Sequence, residues 1–279
     1  MRRSNYPLFL TFIASLLGSS ISMAASSTGA ASSTASYGGR DMIVTVPAQL
    51  PPPGARALVV VLHGGMGNAG RIASGQSESG LNMDAVAEKD GFIVAYLNGT
   101  PATRLFGNMR AWNAGGCCGQ PAENNIDDTG YIKGAVGYLI GKYGVDPARV
   151  YGMGHSNGAM MTERVMCETG LYAAAVAISG PLILATASCP AARGKHILAI
   201  HGADDRNVPV KGGKGTKGIS GAVFNSEAEA RQVFTNSGAS YDLQIVLGAD
   251  HKLDDIDRIL RQTEGISIAQ KATRFFGLD

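Results

Sequence analysis

The sequence predicts an α/β fold, a mostly parallel central sheet with helices on both faces. Three observations lead there. Short apolar runs alternate with longer helical patterns along most of the 279 residues, the order produced by parallel strands and their crossover helices. Ala57–Leu62 reads ALVVVL, with no polar alternation, as a strand covered on both faces requires. No internal repeat and no second block of composition interrupts the pattern. Residues 37–279 therefore read as one domain, of a size that buries a full core.

The elements follow in order. Met42–Pro47 reads as an edge strand and Leu50–Gly54 as a proline-rich turn. Ala57–Leu62 is a buried strand, Met83–Lys89 a helix and Phe92–Tyr96 the next strand. Asp128–Tyr143 is a helix with Asp127 or Asp128 as its cap, since a carboxylate there accepts first-turn N–H groups. Arg149–Met153 is a strand and Asn157–Glu168 a helix. Ala173–Ser179, Ile197–Ile200 and Asp242–Leu247 are strands, Glu227–Asn236 is a helix, and Ile256–Phe276 is helical with a break near Gly265.

Composition excludes several classes. Hydrophobic residues make up 45% and charged residues 16%, which suits a globular chain rather than a disordered one. The net charge is +2, and Arg2 and Arg3 supply all of that excess. The rest is formally neutral and has no basic run, so nucleic acid is not an expected partner.

The first residues read as a secretory signal, 1–24. Arg2 and Arg3 form its positive end, Pro7–Gly18 its apolar stretch, and Ser22-Met23-Ala24 a small-residue cleavage site. The apolar stretch is short for a membrane span, so the mature chain is expected to be secreted or periplasmic, with no membrane association. Residues 25–36, ASSTGAASSTAS, read as a flexible lead-in with no role in the fold. Export makes disulfides plausible for Cys117, Cys118, Cys167 and Cys189, with all three pairings open. Adjacent Cys117 and Cys118 lack zinc-ligand spacing, so no metal is expected.

Gly154-His155-Ser156-Asn157-Gly158 carries the chemistry. A G-x-S-x-G pattern is weak alone in a chain with 38 glycines, and a serine is also an ordinary helix N-cap. Its position decides. Ser156 lies between a strand and a helix, where an α/β-hydrolase places its nucleophile. A cap does not explain a glycine on each side, whereas a tight turn does.

In that fold the acid and then the histidine follow the serine. Of the five histidines, only His251 follows both Ser156 and the acidic pair Asp204-Asp205, which sits just past the strand Ile197–Ile200. His251 is thus the base, with Asp204 or Asp205 orienting it. His201 ends a strand too early to be the base and reads as structural, and His196 as a strand-start residue. An oxyanion hole should combine the Asn157 N–H with an N–H from the loop after an early strand. His63-Gly64-Gly65-Met66-Gly67 is that loop, with Gly65 the choice and Met66 the alternative. A nucleotide loop is excluded, because neither the spaced-glycine fingerprint with its acidic residue nor G-K-[ST] occurs.

LHGGMGNAG, RAWNAGGCCGQ, NNIDDTGYI, YGVDPARVYGMGHSNGAMM and HGADDRNVPVKGG together resemble the polyhydroxybutyrate depolymerase-like esterases. These are related to bacterial feruloyl and acetylxylan esterases and include single-domain secreted hydrolases. The resemblance covers most of Val59–Gly213 and implies an α/β-hydrolase fold and carboxylic ester hydrolysis without a cofactor. It places the nucleophile on Ser156, the acid on Asp205 rather than Asp204, and the base on His251. It also places Trp112 near the site, where the alternative is a structural aromatic. Trp112, Met66 and His155 are accordingly expected to contact substrate. Two departures stand out. Relatives carry a tryptophan and a proline soon after the histidine, whereas this chain has DHKLDDIDRIL. Depolymerases of solid polyester carry a linker and a polymer-binding domain, and neither lies within these residues.

The expectation is an acyl-enzyme mechanism on an ester: a small ester, an oligomer or a polymer-bound one. Esters or oligomers of 3-hydroxyacids come first, and feruloyl or acetyl esters of plant polysaccharide are the alternative. A non-catalytic binding protein on the same scaffold is the rival from another class. A peptidase of this fold would bring a large extra domain, for which 279 residues leave little room.

Overall fold

The computed structural model describes Met1 and residues 30–74, 80–104, 107–218 and 220–279. Apart from Met1, the expected signal segment lies outside the described residues. Eight strands form one sheet: β1 (Ala31–Tyr37), β2 (Arg40–Val46), β3 (Arg56–Leu62), β4 (Ile93–Leu97), β5 (Val145–His155), β6 (Ala174–Ile178), β7 (His196–Gly202) and β8 (Ser240–Val246). Their order is β1-β2-β4-β3-β5-β6-β7-β8. The β1/β2 and β2/β4 pairs are antiparallel, and every other pair is parallel.

Eight α-helices are described: α1 (Ala69–Ala73), α2 (Met83–Asp90), α3 (Gly119–Glu123), α4 (Asp128–Tyr143), α5 (Asn157–Thr169), α6 (Glu227–Asn236), α7 (Leu253–Glu264) and α8 (Ile268–Phe276). The continuous apolar run of β3 has a direct cause. Leu58, Val60 and Leu62 enter a core with Ile132 and Val136 of α4, Met161 and Val165 of α5 and Phe234 of α6. Ala57, Val59 and Val61 enter the opposite core with Met83 of α2, Ile256 of α7 and Phe276 of α8. Successive side chains point to opposite faces, so both sets must be apolar.

Two expectations at the N-terminal side are corrected. The lead-in, residues 25–36, is not idle over its described part, because Ala31–Tyr37 is strand β1. Met42–Pro47 is then not the edge, since β2 lies between β1 and β4. The cause is the turn Gly38-Gly39, with φ 57° and 75°. Two residues with positive φ close a hairpin whose twist matches its strands, and Tyr37 pairs with Arg40. Backbone pairing does not need apolar side chains, and only Ala35 of β1 is buried.

Elsewhere the boundaries move by a few residues. Asp127, not Asp128, caps α4, accepting from the Gly130 N–H at 2.8 Å. Asp128 is buried, ion-paired to Arg40 at 2.5 Å and bonded to the Asn113 N–H at 2.7 Å. Gly265 ends α7 with φ 73°, as the expected break near that residue requires.

Cys167, near the end of α5, is bonded to Cys189, with Cα atoms 4.5 Å apart, and Cys117 is paired with its neighbour Cys118. The Cys167–Cys189 bond closes a loop of 22 residues, which restricts the unfolded chain by about 3 kcal/mol. Replacing both by alanine is expected to lower unfolding stability by roughly that amount. Guanidinium denaturation of the oxidised protein and the variant checks it.

Candidate active site

The parallel strands all point their carboxyl ends to one edge of the sheet, where open α/β sheets bind ligands. Four of these ends contribute here: the loop His63–Gly67 after β3, Ser156 after β5, Asp205 after β7 and His251 after β8.

Ser156 occupies the turn between β5 and α5 with φ 55° and ψ −123°, a strained conformation for a residue with a side chain. The flanking glycines are required by close backbone approach. A Cβ on Gly154 would lie 2.3 Å from Gly158 O, and one on Gly158 would lie 2.2 Å from Leu62 O.

His251 Nε2 lies 2.9 Å from Ser156 Oγ, and His251 Nδ1 lies 2.6 Å from Asp205 Oδ2. The second Asp205 oxygen accepts from the N–H groups of Asn207 at 2.8 Å and Val208 at 2.9 Å. Burial alone would push the Asp205 carboxyl up, but hydrogen bonds from His201 and His251 outweigh it and hold the group well below the usual carboxylate range. Of the two candidate acids, the geometry brings Asp205 to the histidine. Asp204 is exposed, with its backbone N–H on Ala249 O.

The loop after β3 lies against this turn. A Cβ on Gly64 would stand 3.4 Å from Ser156 Cβ, and one on Gly65 would stand 3.6 Å from Asn157 Cβ. Asn157 opens α5, so its N–H belongs to the first turn, which has no intrahelical acceptors. His63 pins the loop. Its Nε2 accepts from the Gly99 N–H at 3.1 Å, so the ring proton is on Nδ1, 2.8 Å from Gly64 O. Burial lowers its pKa to about 4 and keeps it neutral.

Gly65, Met66, His155, Ser156, Asn157 and His251 all line one cavity of about 650 Å³, within the range of small-molecule sites. Arg71, Glu123, Lys217 and Lys252 add charge to its wall. The loop from Lys211 to Asn225 is closed at its base by pairing of Gly213 with Phe224.

Trp112 does not line this cavity. It is fully buried, its indole N–H donates to His63 O at 3.0 Å, and its backbone N–H and C=O bond both ends of the Asn157 amide at 2.8 and 3.0 Å. The expectation that it contacts substrate is therefore corrected: it ties the β3 loop to the residue after Ser156. An indole has one donor and must place it when buried, and His63 O is the acceptor. His155 lines the cavity, yet its Nε2–H is spent on His251 O at 2.8 Å. Burial, reinforced by the charge of His251, lowers its pKa to about 3, so it is a neutral prop for the His251 backbone.

Sequence reasoning missed the groups behind Asp205. His201, Glu227, Tyr241 and Glu163 form a buried hydrogen-bonded chain there. They come from four separate elements with no common motif, so only the three-dimensional fold reveals them. Among the described residues no group of side chains could hold a metal ion, and no helix is long and apolar enough to cross a membrane.

A family model described as phospholipase/carboxylesterase matches residues 48–248. Feruloyl esterase B of Piromyces equi is 32% identical over 179 residues, 62% of this chain and 31% of that protein. An acetylxylan esterase of Coprinopsis cinerea is 35% identical over 112 residues, 40% of this chain and 27% of that protein. The chain thus spans about a third of the length of these relatives. Among solved structures, the acetyl xylan esterase from Aspergillus awamori superposes with a TM-score of 0.58 at 15% identity, over 89% of this chain and all of that one, a likeness of fold.

Proposed function

Since this chain belongs to the phospholipase/carboxylesterase family, we propose that it hydrolyses carboxylic esters by acyl transfer through Ser156, His251 and Asp205. One observation carries the reading. The serine, imidazole and carboxylate form a continuous chain of 2.9 and 2.6 Å at the wall of a cavity.

Ser156 Oγ attacks the ester carbonyl while His251 Nε2 takes its proton. Asp205 holds Nδ1–H and stabilises the imidazolium that forms. The tetrahedral oxyanion rests on the N–H groups of Asn157 and Gly65, with Met66 as the alternative to Gly65; one such donor is worth about 10²–10³ in rate. His251 then protonates the leaving alkoxide. Water, deprotonated by the same ring, attacks the acyl-enzyme and releases the acid and the serine.

For the substrate class, the named relatives favour feruloyl or acetyl esters of plant polysaccharide. The motif resemblance over most of Val59–Gly213 favours 3-hydroxyacid esters or oligomers instead. Arg2, Arg3 and the apolar Pro7–Gly18 stretch support export, to the outside or the periplasm.

The test is turnover of p-nitrophenyl acetate, butyrate and octanoate, then of methyl ferulate, acetylated xylan and 3-hydroxybutyrate oligomers. Release of ferulate or acetate faster than oligomer cleavage is the expected result. The reverse order selects the hydroxyacid reading. A folded protein inert on every ester would leave only a binding role for the scaffold.

A further inference from the structure

The hydrogen-bonded chain does not stop at Asp205. Its Oδ2, 2.6 Å from His251 Nδ1, is also 3.1 Å from His201 Nε2. That Nε2 is 2.8 Å from Val208 O, and His201 Nδ1 is 2.6 Å from Glu227 Oε1. Glu227 Oε2 is 2.7 Å from the Tyr241 hydroxyl, which is 2.9 Å from Glu163 Oε1. His201, Glu227, Tyr241 and Glu163 are all buried.

Counting protons restricts where the hydrogens of this chain sit. A carbonyl only accepts, so the Val208 contact puts a proton on His201 Nε2. A phenol has one proton, so Tyr241 can donate to only one of its two carboxyl partners and must receive from the other. Glu163 is the one that returns a proton, because burial and then the Glu227 charge push its carboxyl well above the usual range. Tyr241 therefore donates to Glu227 Oε2, and Glu227 Oε1 and His201 Nδ1 share one proton across 2.6 Å. Burial would lower the His201 pKa, but hydrogen bonds to Asp205 and Glu227 outweigh it and raise the value to about 9. That puts the shared proton on His201, an imidazolium held between Asp205 and Glu227.

We propose that His201 is a positioning residue that shares Asp205 Oδ2 with the catalytic base and thereby restrains how readily His251 takes up a proton. The inference rests on the triad reading above. A cation already on Asp205 Oδ2 weakens the field that carboxylate offers to a second one. The groups that set this balance come from every neighbouring element. They are Asp205 after β7, Glu227 on α6, Tyr241 on β8, Glu163 on α5, His251 before α7, and the neutral His155 at the end of β5.

The experiment is the pH profile of kcat/KM from pH 4 to 9 for the wild type, His201→Gln and Glu227→Gln. Each variant removes or discharges the imidazolium, so the acid limb should move up by about one pH unit, more in His201→Gln. A purely structural role would lower kcat/KM by one factor at every pH and leave the limb in place. If His201→Gln does not fold, Glu227→Gln decides. An independent readout is ¹⁵N-histidine NMR of Ser156→Ala at neutral pH, where one ring should carry protons on both nitrogens and vanish with His201→Gln. An unmoved limb in the folded variants, or no doubly protonated ring, overturns the inference. Retained activity in Ser156→Ala would instead sink the triad reading itself.

Discussion

Ser156→Ala is expected to lose about 10⁶-fold in kcat while unfolding at the same denaturant concentration as the wild type. Among the described residues the serine oxygen's hydrogen bond is to His251 Nε2, at 2.9 Å, so its removal costs the fold little and the reaction its nucleophile. Stability should even rise when the backbone strain is relieved. At φ 55° and ψ −123°, Ser156→Gly is expected to gain about 1 kcal/mol and to be as inactive as the alanine variant. Ester turnover and denaturant melts of the three proteins check both halves. An alanine variant with more than about a hundredth of wild-type kcat would exclude Ser156 as the nucleophile.

Trp112→Ala is expected to be the most damaging single change outside the triad. It empties a fully buried indole site, a loss of about 3–5 kcal/mol. It also removes the N–H that holds His63 O, while the backbone bonds to Asn157 depend on the same segment staying in place. Activity should therefore fall through kcat, because the β3 loop and α5 lose their common anchor. Trp112→Phe fills most of the volume without the donor and should fall between. If Trp112→Phe instead changed KM selectively among acyl chains with kcat preserved, the ring would be a pocket wall and the anchoring role wrong.

Most of the fold was legible because its signals are local. The apolar run Ala57–Leu62 and the glycines around Ser156 each have one physical cause, burial on two faces and a tight turn. The site was legible by chain order: only His251 follows the Asp204-Asp205 pair, and the structure brings it to Ser156. Side-chain environment was not. Trp112 looked like a pocket residue because the RAWNAGGCCGQ stretch carries a family resemblance that places it near the site, yet its indole turns inward to His63. His201 looked merely structural because its partner Glu227, on a separate element, is brought to it only by the fold. Strand β1 was missed because a serine- and alanine-rich composition outweighed the Gly38-Gly39 turn beside it.

That strand has a further meaning for the life of the chain. Without β1, the outer strand would be β2, whose Met42 and Val44 are fully buried. An apolar edge with open N–H and C=O groups is a template for pairing with another copy. Ala31–Tyr37 covers it with a row of small, mostly exposed hydroxyl and methyl side chains that give an incoming strand little to bury. A low-complexity segment thus covers the sheet edge that β2 would otherwise present. Removing Ala31–Tyr37 would trade that cover for an apolar edge with open backbone groups.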